Sequence, residues 1–590
     1  MSADYSLKLV RDSRLNDITD KLEVACAQGA AQNTFQQFPS TSASTSTLTF
    51  QVQPPSESVI VDRNVLIQAR VKFSINVGSA TSQGNVPVGD RVFNYGVGDS
   101  FQAFPLNSLF TTTTVTINNT SVSINGQDVV PALLHLMDEE DLQGYKGMTP
   151  TLIDKFTNYR DAIVCDNNNP MGGYQLAGYN RHLLPRGCHP LHSLLIERSI
   201  AGVLQDNSPV STGLDNYWVI TIEADFTEPI FLSPFLVHSK YNEAGILGVN
   251  NMNFVMNIDS QCRRLWSTAM PNAVAPNPAI PYSLSLDPTT PFSNARLLFN
   301  MLTSQSVDLV PARNILPYID YSRFISASPN LPTIASGASQ DITINNLQLN
   351  QIPDRLIIFA RKRLSDQTPR DANCFFVINS ISIQFNVASG LLSSATQQDL
   401  WRLSVASGSK QSWYEFSGRA QYYSANPVVT DVFATQTIYS TTGSILMLNP
   451  AEHLSLPEYL SNGSLGQFSF QMRINLTNIS NDLISPEVVV ITCNSGIFST
   501  IAGSSSVQTA LLTKQFVIET ATQEGKNAIS SNDYMRMRGG ALSDQISSAF
   551  KHLPLVKKYL CDRSGGCVGG ARSGGMLLPP KHKKLEALVM

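Results

Sequence analysis

Residues 65–77 read Val-Leu-Ile-Gln-Ala-Arg-Val-Lys-Phe-Ser-Ile-Asn-Val, and this stretch decides the fold class. Its apolar set is Val65, Ile67, Ala69, Val71, Phe73, Ile75 and Val77. Polar residues fill most of the places between: Gln68, Arg70, Lys72, Ser74 and Asn76. Because successive side chains of a strand point to opposite faces, this alternation predicts a long strand with one face on a core and one face in solvent.

The same alternation returns in both halves of the chain, at residues 48–52, 218–226, 377–387 and 468–476. Residues 111–124 indicate one or two more strands, broken at Asn118-Asn119, and helices are predicted near 129–142 and 395–406. Each half therefore runs strands, a helix within a long excursion, and strands again. The order predicts an all-β fold of two tandem eight-stranded jelly-roll sandwiches with helical insertions, and a pair of unrelated β-sandwiches is the alternative.

The chain has 590 residues, which is too many for one hydrophobic core. Prolines cluster between Pro271 and Pro291 and place the predicted domain boundary near 265–290. The predicted parts are an N-terminal arm at 1–45 that ends in a polar tether, jelly roll 1 at 46–270, jelly roll 2 at 285–510, a linker at 511–540 and a basic C-terminal tail at 541–590.

Charged residues make up 15% of the chain, against roughly 25% in an average protein. A net charge of −4 argues against a body that wraps nucleic acid. Depletion of charge fits a protein whose surface meets other subunits, although a plain β-rich surface explains it equally well. The N-terminus lacks the apolar core of a secretory signal and the eight cysteines lack framework spacing, so the protein is expected not to be secreted.

The second half carries motifs that resemble those of the major capsid proteins of polinton-like viruses, adintoviruses and virophages. They occur in the family's order: Gln351-Ile352-Pro353-Asp354-Arg355-Leu356-Ile357-Ile358-Phe359-Ala360-Arg361-Lys362, Ile383-Gln384-Phe385-Asn386, Ser389-Gly390-Leu391-Leu392, Leu400-Trp401, Ser412-Trp413, Phe416-Ser417-Gly418, Gly443 to Pro450, and Gly466-Gln467-Phe468. The first half is similar mainly in the layout of its strands and helix.

This resemblance implies a major capsid protein and no enzyme. Such proteins fold as two upright jelly rolls, and three copies form a pseudo-hexagonal capsomer in the icosahedral shell of a double-stranded DNA virus. The implied partners are further copies of the chain, neighbouring capsomers, penton and minor capsid proteins and a viral maturation protease. The implied location is the virion, with assembly in the nucleus or in a cytoplasmic viral factory. No cofactor is expected.

A processing site is expected between Gly540 and Ala541. Met537-Arg538-Gly539-Gly540-Ala541 fits the hydrophobic-x-Gly-Gly-x pattern cut by adenovirus-type cysteine proteases, which resembling viruses use for maturation. Two glycines before the cut let an extended substrate strand enter a narrow groove, and Met537 would fill an apolar pocket. At every other Gly-Gly pair the residue matching Met537 does not fit: Pro170, Arg563, Cys567 or Arg572. A flexible glycine hinge is the alternative reading.

The tail at 541–590 carries eight basic residues against three acidic ones, a net charge of about +5. Leu542, Ile546, Phe550, Leu553 and Val556 are spaced for an amphipathic helix. Such a tail would guide assembly or make weak contacts with DNA or a membrane, and a solvated basic end without a partner is the alternative.

A minor capsid or penton protein is another hypothesis, but a single jelly roll would not need 590 residues. A β-sandwich with adjacent acids, here Glu139-Glu140-Asp141, is compatible with a carbohydrate-binding or virion spike protein, but such a run is more typical of a solvated helix face. A zinc site from Cys165, His182, Cys188, His189 and His192 is disfavoured by its irregular spacing, and no metal ligands are predicted.

Overall fold

A computed structural model of the chain describes residues 6–11, 23–28, 32–78, 95, 99–137, 149–155, 194–200, 203–205, 217–235, 245–268, 282–303, 313–326, 331–371, 373, 375–386, 388–424, 435–457, 460–501 and 503–509. Strands dominate these residues, as the period-two pattern predicts. The described elements form two β-sandwiches that follow one another along the chain.

The first half contributes sixteen described strands. They are β1 (Ser6–Arg11), β2 (Glu23–Gln28), β3 (Gln32–Ala43), β4 (Thr47–Val52), β5 (Val59–Val61), β6 (Leu66–Gly78), β7 (Asp99–Phe101), β8 (Phe110–Ile117), β9 (Thr120–Ile124), β10 (Leu194–Ile200), β11 (Val203–Gln205), β12 (Tyr217–Pro229), β13 (Met252–Ile258), β14 (Trp266–Thr268), β15 (Tyr282–Leu286) and β16 (Phe292–Thr303).

The second half contributes eleven described strands. They are β17 (Arg313–Ser326), β18 (Ser339–Gln351), β19 (Arg355–Lys362), β20 (Val377–Phe385), β21 (Ala388–Leu391), β22 (Arg419–Ser424), β23 (Thr435–Ser440), β24 (Ile445–Leu448), β25 (Leu465–Thr477), β26 (Pro486–Ile501) and β27 (Ser504–Gln508).

Five short α-helices lie between the described strands. They are α1 (Pro105–Leu109), α2 (Gly126–Leu136), α3 (Gln397–Ala406), α4 (Trp413–Phe416) and α5 (Pro450–His453), with a 3₁₀ turn at Leu364–Asp366. The helices predicted near 129–142 and 395–406 correspond to α2 and α3. Both α3 and α4 begin with capping boxes, Thr396 with Asp399 and Ser412 with Glu415, which satisfy the free amides of their first turns.

Two sets of four neighbouring strands form the two faces of each sandwich. In the first sandwich β16 and β3 join the two sets into one 12-stranded sheet, and in the second β27 pairs with β26 as a fifth strand of one sheet. Sheet 1A has the order β4-β13-β8-β9 and sheet 1B the order β6-β12-β10-β11, while sheet 2A has the order β17-β26-β19-β24 and sheet 2B the order β18-β25-β20-β21. We number the eight strands of these sheets in chain order within each sandwich. The first, eighth and third strands are then neighbours in one sheet of both sandwiches, and the second and seventh are neighbours in the other. This is the double jelly roll that the sequence predicts.

The first sandwich includes residues that the sequence assigned elsewhere. Residues 32–43, predicted as a polar tether, form β3, which pairs with β16 and with β4 and so links sheets 1A and 1B. A strand forms in this polar run because its stability comes from backbone hydrogen bonds to two neighbours and from Phe38, whose ring lies 5.6 Å from that of Phe299.

The predicted start of jelly roll 2 at 285 is also wrong. Strands β15 and β16 pair with β6 of the first sandwich, and β16 also pairs with β3 and β5. The proline-rich residues 271–281 therefore lie between two strands of one sandwich rather than between domains. Proline interrupts strand pairing whether or not a domain ends there. The proline cluster therefore marks a connection between strands, and the predicted domain boundary does not lie there.

Candidate functional site: the interface between the two sandwiches

Strands β19, β24 and β26 of sheet 2A are buried on both faces. In β19, Leu356 and Ile358 point into the core of the second sandwich, whereas Ile357 and Phe359 belong to the core cluster that fills the first. Strand β26 alternates in the same way: Val488 and Val490 lie in the core of the second sandwich, and Val489 and Ile491 lie in the cluster of the first. A sheet covered on both faces needs a continuous apolar run. The two sandwiches therefore share one wall.

Helix α2 of the first sandwich supplies a carboxylate to this interface. Asp128 lies in its first turn and forms ion pairs with Arg361 and Arg323 of the second sandwich. Arg361 is 1% exposed, and its guanidinium also donates to Glu487 Oε1 at 3.2 Å and to the Gln127 carbonyl at 3.1 Å. A buried guanidinium is tolerated only when it is paired and hydrogen-bonded, so these contacts specify one arrangement of the two sandwiches.

Arg264 makes a second polar bridge across the interface. Its Nε and Nη2 donate to Gln367 Oε1 at 3.1 and 2.9 Å, and its Nη1 donates to the Gln127 carbonyl at 3.1 Å. Nearby, the Thr268 amide donates to the Pro369 carbonyl at 2.8 Å. These hydrogen bonds fix the residues after β19 against the first sandwich.

His135, near the end of α2, is buried at the same interface. Its ring meets Phe375 edge to face at 5.6 Å, and its Nε2 lies 3.0 Å from Asn373 Nδ2. Burial lowers the pKa of His135 to about 4, although the charges of Glu415 and Asp154 act in the opposite direction. The imidazole is therefore neutral at pH 7.

The other end of the interface is closed by the β26–β27 hairpin. The Ser505 amide donates to Asn119 Oδ1 at 2.7 Å, and Thr120 Oγ1 donates to the Ser505 carbonyl at 2.7 Å. Ser505 Oγ donates to the Ile117 carbonyl at 2.6 Å. The Asn118-Asn119 turn that the sequence identified as a strand break is thus a docking point for the second sandwich.

A buried carboxylate holds the short helix α1 beside α2. Both oxygens of Glu228 accept backbone amides at the start of α1, from Leu106 and Asn107 at 2.8 Å each, and Thr149 Oγ1 donates as well. Burial raises the pKa of Glu228, while these hydrogen bonds lower it. A negative group at a helix N-terminus also interacts favourably with the helix dipole.

The motifs that carry the resemblance meet beside α3 and α4. Ser444 Oγ donates to the Phe416 carbonyl and accepts the Ile378 amide, and Gln411 Nε2 donates to the Gly443 carbonyl at 2.8 Å. Gly443 has φ +99°, and a Cβ there would lie 2.4 Å from the Phe375 carbonyl oxygen. The motif residues are therefore positions where backbone and side chains interlock.

The predicted processing residues, Met537, Gly539, Gly540 and Ala541, lie outside the described residues, as do the linker and the tail. The zinc candidates Cys165, His182, Cys188, His189 and His192 lie outside them too. Among the residues that the structure describes, no group of three or more His, Cys, Asp or Glu side chains is placed to hold a metal ion. Within the same residues, no helix is long and apolar enough to cross a membrane.

The Asp128–Arg361 pair was not found by sequence reasoning. The two residues are 233 positions apart, and nothing local connects them. The available signal was Arg361 itself, because it continues the apolar run of β19 on a strand expected to be buried. A charge in such a place requires a partner.

Comparisons with known proteins agree with this architecture. Residues 3–302 match the family profile of the Sputnik virophage major capsid protein first domain, and residues 321–496 match that of the major capsid protein V20 C-terminal domain. The chain is 26% identical over 558 residues to the putative capsid protein V20 of Sputnik virophage, covering 92% of this chain and 85% of the relative.

Two solved structures have the same fold over most of the chain. The cryo-EM structure of Sputnik virophage has a TM-score of 0.68 at 24% identity, covering 90% of this chain and 98% of the other. The crystal structure of the mavirus major capsid protein has a TM-score of 0.59 at 12% identity, covering 90% and 100%. Because the first family profile spans half of the sequence, the chain belongs to the virophage major capsid protein family, whose members are structural proteins of the virion.

Proposed function

We propose that three copies of this chain form a pseudo-hexagonal capsomer that tiles the icosahedral shell of a double-stranded DNA virus. The observation that carries the proposal is the shared wall: sheet 2A and the Asp128–Arg361 pair join two similar sandwiches into one block. Three such blocks around a threefold axis supply six sandwiches, which fit a position with six neighbours.

The molar mass of the purified full-length chain tests this proposal. Light scattering coupled to size-exclusion chromatography should give about three times the 64.4 kDa mass of one chain. A monomer over a wide concentration range would contradict the capsomer. A monomer that also binds glycans would favour the carbohydrate-binding alternative, which family membership otherwise argues against.

The proposal extends to maturation by cleavage between Gly540 and Ala541. Its support is the match of Met537, Gly539 and Gly540 to the protease pattern and the absence of a second matching Gly-Gly pair in the sequence. Intact mass measurement of the chain from mature particles should show residues 1–540. Gly540→Val should leave the chain uncut, while Gly570→Val serves as the matched control, and full-length chain in mature particles would reject cleavage.

The proposed partners are neighbouring capsomers, penton and minor capsid proteins, the maturation protease and, through the tail at 541–590, DNA or a membrane held weakly. The tail's net charge of about +5 supports a salt-dependent interaction with phosphates. Replacing Lys557, Lys558, Lys583 and Lys584 by Gln in the full chain should weaken binding to DNA or to anionic vesicles at low salt. Unchanged binding to both would exclude the tail as the contact.

Imaging of infected cells would distinguish nuclear from cytoplasmic assembly.

A further inference from the structure

Sheets 1A and 2A occupy equivalent places in their sandwiches. In each, the first, eighth and third strands are neighbours, as β4-β13-β8 and as β17-β26-β19. The outward face of sheet 2A is apolar and covered by the first sandwich of the same chain. The outward face of sheet 1A has no such cover from the second sandwich, because its side chains are partly or fully exposed.

The outward face of sheet 1A is uncharged. Its eleven outward side chains are Thr47, Thr49, Gln51, Thr112, Thr114, Thr116, Ser121, Ser123, Asn253, Val255 and Asn257. They form rows across the strands, such as Thr49, Val255, Thr114 and Ser123. None of these eleven residues, all on described strands, is charged. We name them the neutral face.

The other outward faces contrast with it. On sheet 1B, Arg70 pairs with Asp225 at 2.7 Å and Lys72 pairs with Glu223 at 3.4 Å. On sheet 2B, Arg473 pairs with Asp341 at 2.7 Å. Surfaces that stay in water carry charges, whereas the centres of subunit interfaces are depleted of them. Hydroxyl and amide groups are also far easier to bury than charges, since neutral partners can satisfy them. The neutral face is thus suited to contact with protein.

The second sandwich has a flank that fits this face. Helix α2 of the first sandwich packs against sheet 2A. Helices α3 and α4 of the second sandwich instead have exposed apolar side chains, with Val405 43% and Tyr414 65% exposed. Tyr414 is next to Trp413, whose ring packs on Trp401, one helical turn from Val405. We name Val405, Trp413 and Tyr414 the aromatic flank.

We propose that the neutral face binds a second copy of this chain, which packs its aromatic flank against the face in the way that α2 of the first sandwich packs against sheet 2A. The inference rests on the proposed capsomer and assigns its subunit contact. A head-to-tail contact of this kind closes into a ring when the rotation between sandwiches repeats. Tyrosine and tryptophan are enriched at such contacts because their rings bury a large area and keep a polar atom for hydrogen bonding.

Thr114→Arg tests the neutral face, since Thr114 lies between Val255 and Ser123 in its central row. The matched control is Thr221→Arg, a threonine on the outward face of sheet 1B. Both are made in the full-length chain, and molar mass is measured by light scattering over a dilution series. An unpaired charge at the contact should raise the dissociation constant about 30-fold or more, and the control should leave it unchanged. Thermal unfolding checks that each variant is folded, and Ser123→Arg replaces Thr114→Arg if that chain fails to fold.

The outcomes separate this inference from the proposed function. If the wild-type chain forms trimers and Thr114→Arg associates as tightly, the neutral face is not the contact, although the capsomer stands. If the wild-type chain is monomeric throughout, both fail. Tyr414→Glu alone should weaken association, and the double variant Thr114→Arg with Tyr414→Glu should regain at least part of it by pairing the two new charges. Absence of that rescue would overturn the assignment of the aromatic flank.

Discussion

Arg361 in β19 of the second sandwich and Asp128 in α2 of the first form an ion pair whose side chains are 1% and 3% exposed. Each carboxylate oxygen of Asp128 accepts from a different arginine, Arg361 on one and Arg323 on the other. The pair lies where three strands of the second sandwich meet a helix of the first. It therefore reports directly on how the two sandwiches are held together.

Removing Asp128 should destabilise the protein strongly. Asp128→Ala leaves the Arg361 guanidinium buried with too little compensating charge, which typically costs about 3–5 kcal/mol of unfolding free energy. Denaturant unfolding of the full chain measures this loss of unfolding free energy. The control is Asp341→Ala, which removes an exposed partner of Arg473 and should change stability far less than Asp128→Ala, because solvent screens that pair. Equal effects of the two variants would show that the buried pair has no special role.

His135 should make stability depend on pH. Its folded pKa of about 4 lies below the ordinary 6.5, so between these values the unfolded chain binds more protons than the folded chain. The stabilisation is complete above pH 6.5 and decreases by about 3 kcal/mol as the pH falls to 4. The readout is the difference in unfolding free energy between wild type and His135→Gln at each pH. A pH-independent difference would contradict a buried neutral imidazole.

Alanine substitutions at two glycines should distinguish the cost of backbone strain from the cost of a steric clash. Gly443 and Gly337 both have positive φ, but a Cβ at Gly443 would lie 2.4 Å from the Phe375 carbonyl oxygen, whereas one at Gly337 would meet nothing within 4 Å. Gly337→Ala should therefore cost about 1–2 kcal/mol from the left-handed conformation alone. Gly443→Ala should cost clearly more, as judged by the midpoint of thermal unfolding. Similar losses would mean that the backbone near Phe375 yields easily.

Phe359 should couple the two sandwiches. Its ring belongs to the cluster shared with the first sandwich and meets Phe375 at 5.2 Å. Phe359→Ala should cost about 3–5 kcal/mol through lost burial and the cavity left behind. Differential scanning calorimetry should show one transition in wild type. If wild type instead unfolds in two well-separated transitions, one for each sandwich, the shared wall does not couple them.

Local patterns predicted much of the fold, and distant pairings account for what they missed. Alternation between 65 and 77 identified β6, and Asn118-Asn119 marked the break between β8 and β9, where Asn118 takes φ 51°. Residues 32–43 looked like a tether because the stability of β3 comes from neighbours that the local sequence does not show.

The candidate site was harder to predict for the same reason. The apolar run of β19 indicated a buried strand but gave no sign that its second face meets another sandwich. The Asp128 carboxylate belongs to a helix 233 residues from its partner. The processing residues Met537 to Ala541 remain a prediction from sequence.

The most direct test of the central claim is electron microscopy of the purified full-length chain. A capsomer of three double jelly rolls should appear as a particle with a hexagonal outline and six lobes of similar size around a threefold axis. Single two-lobed particles at every concentration would contradict it.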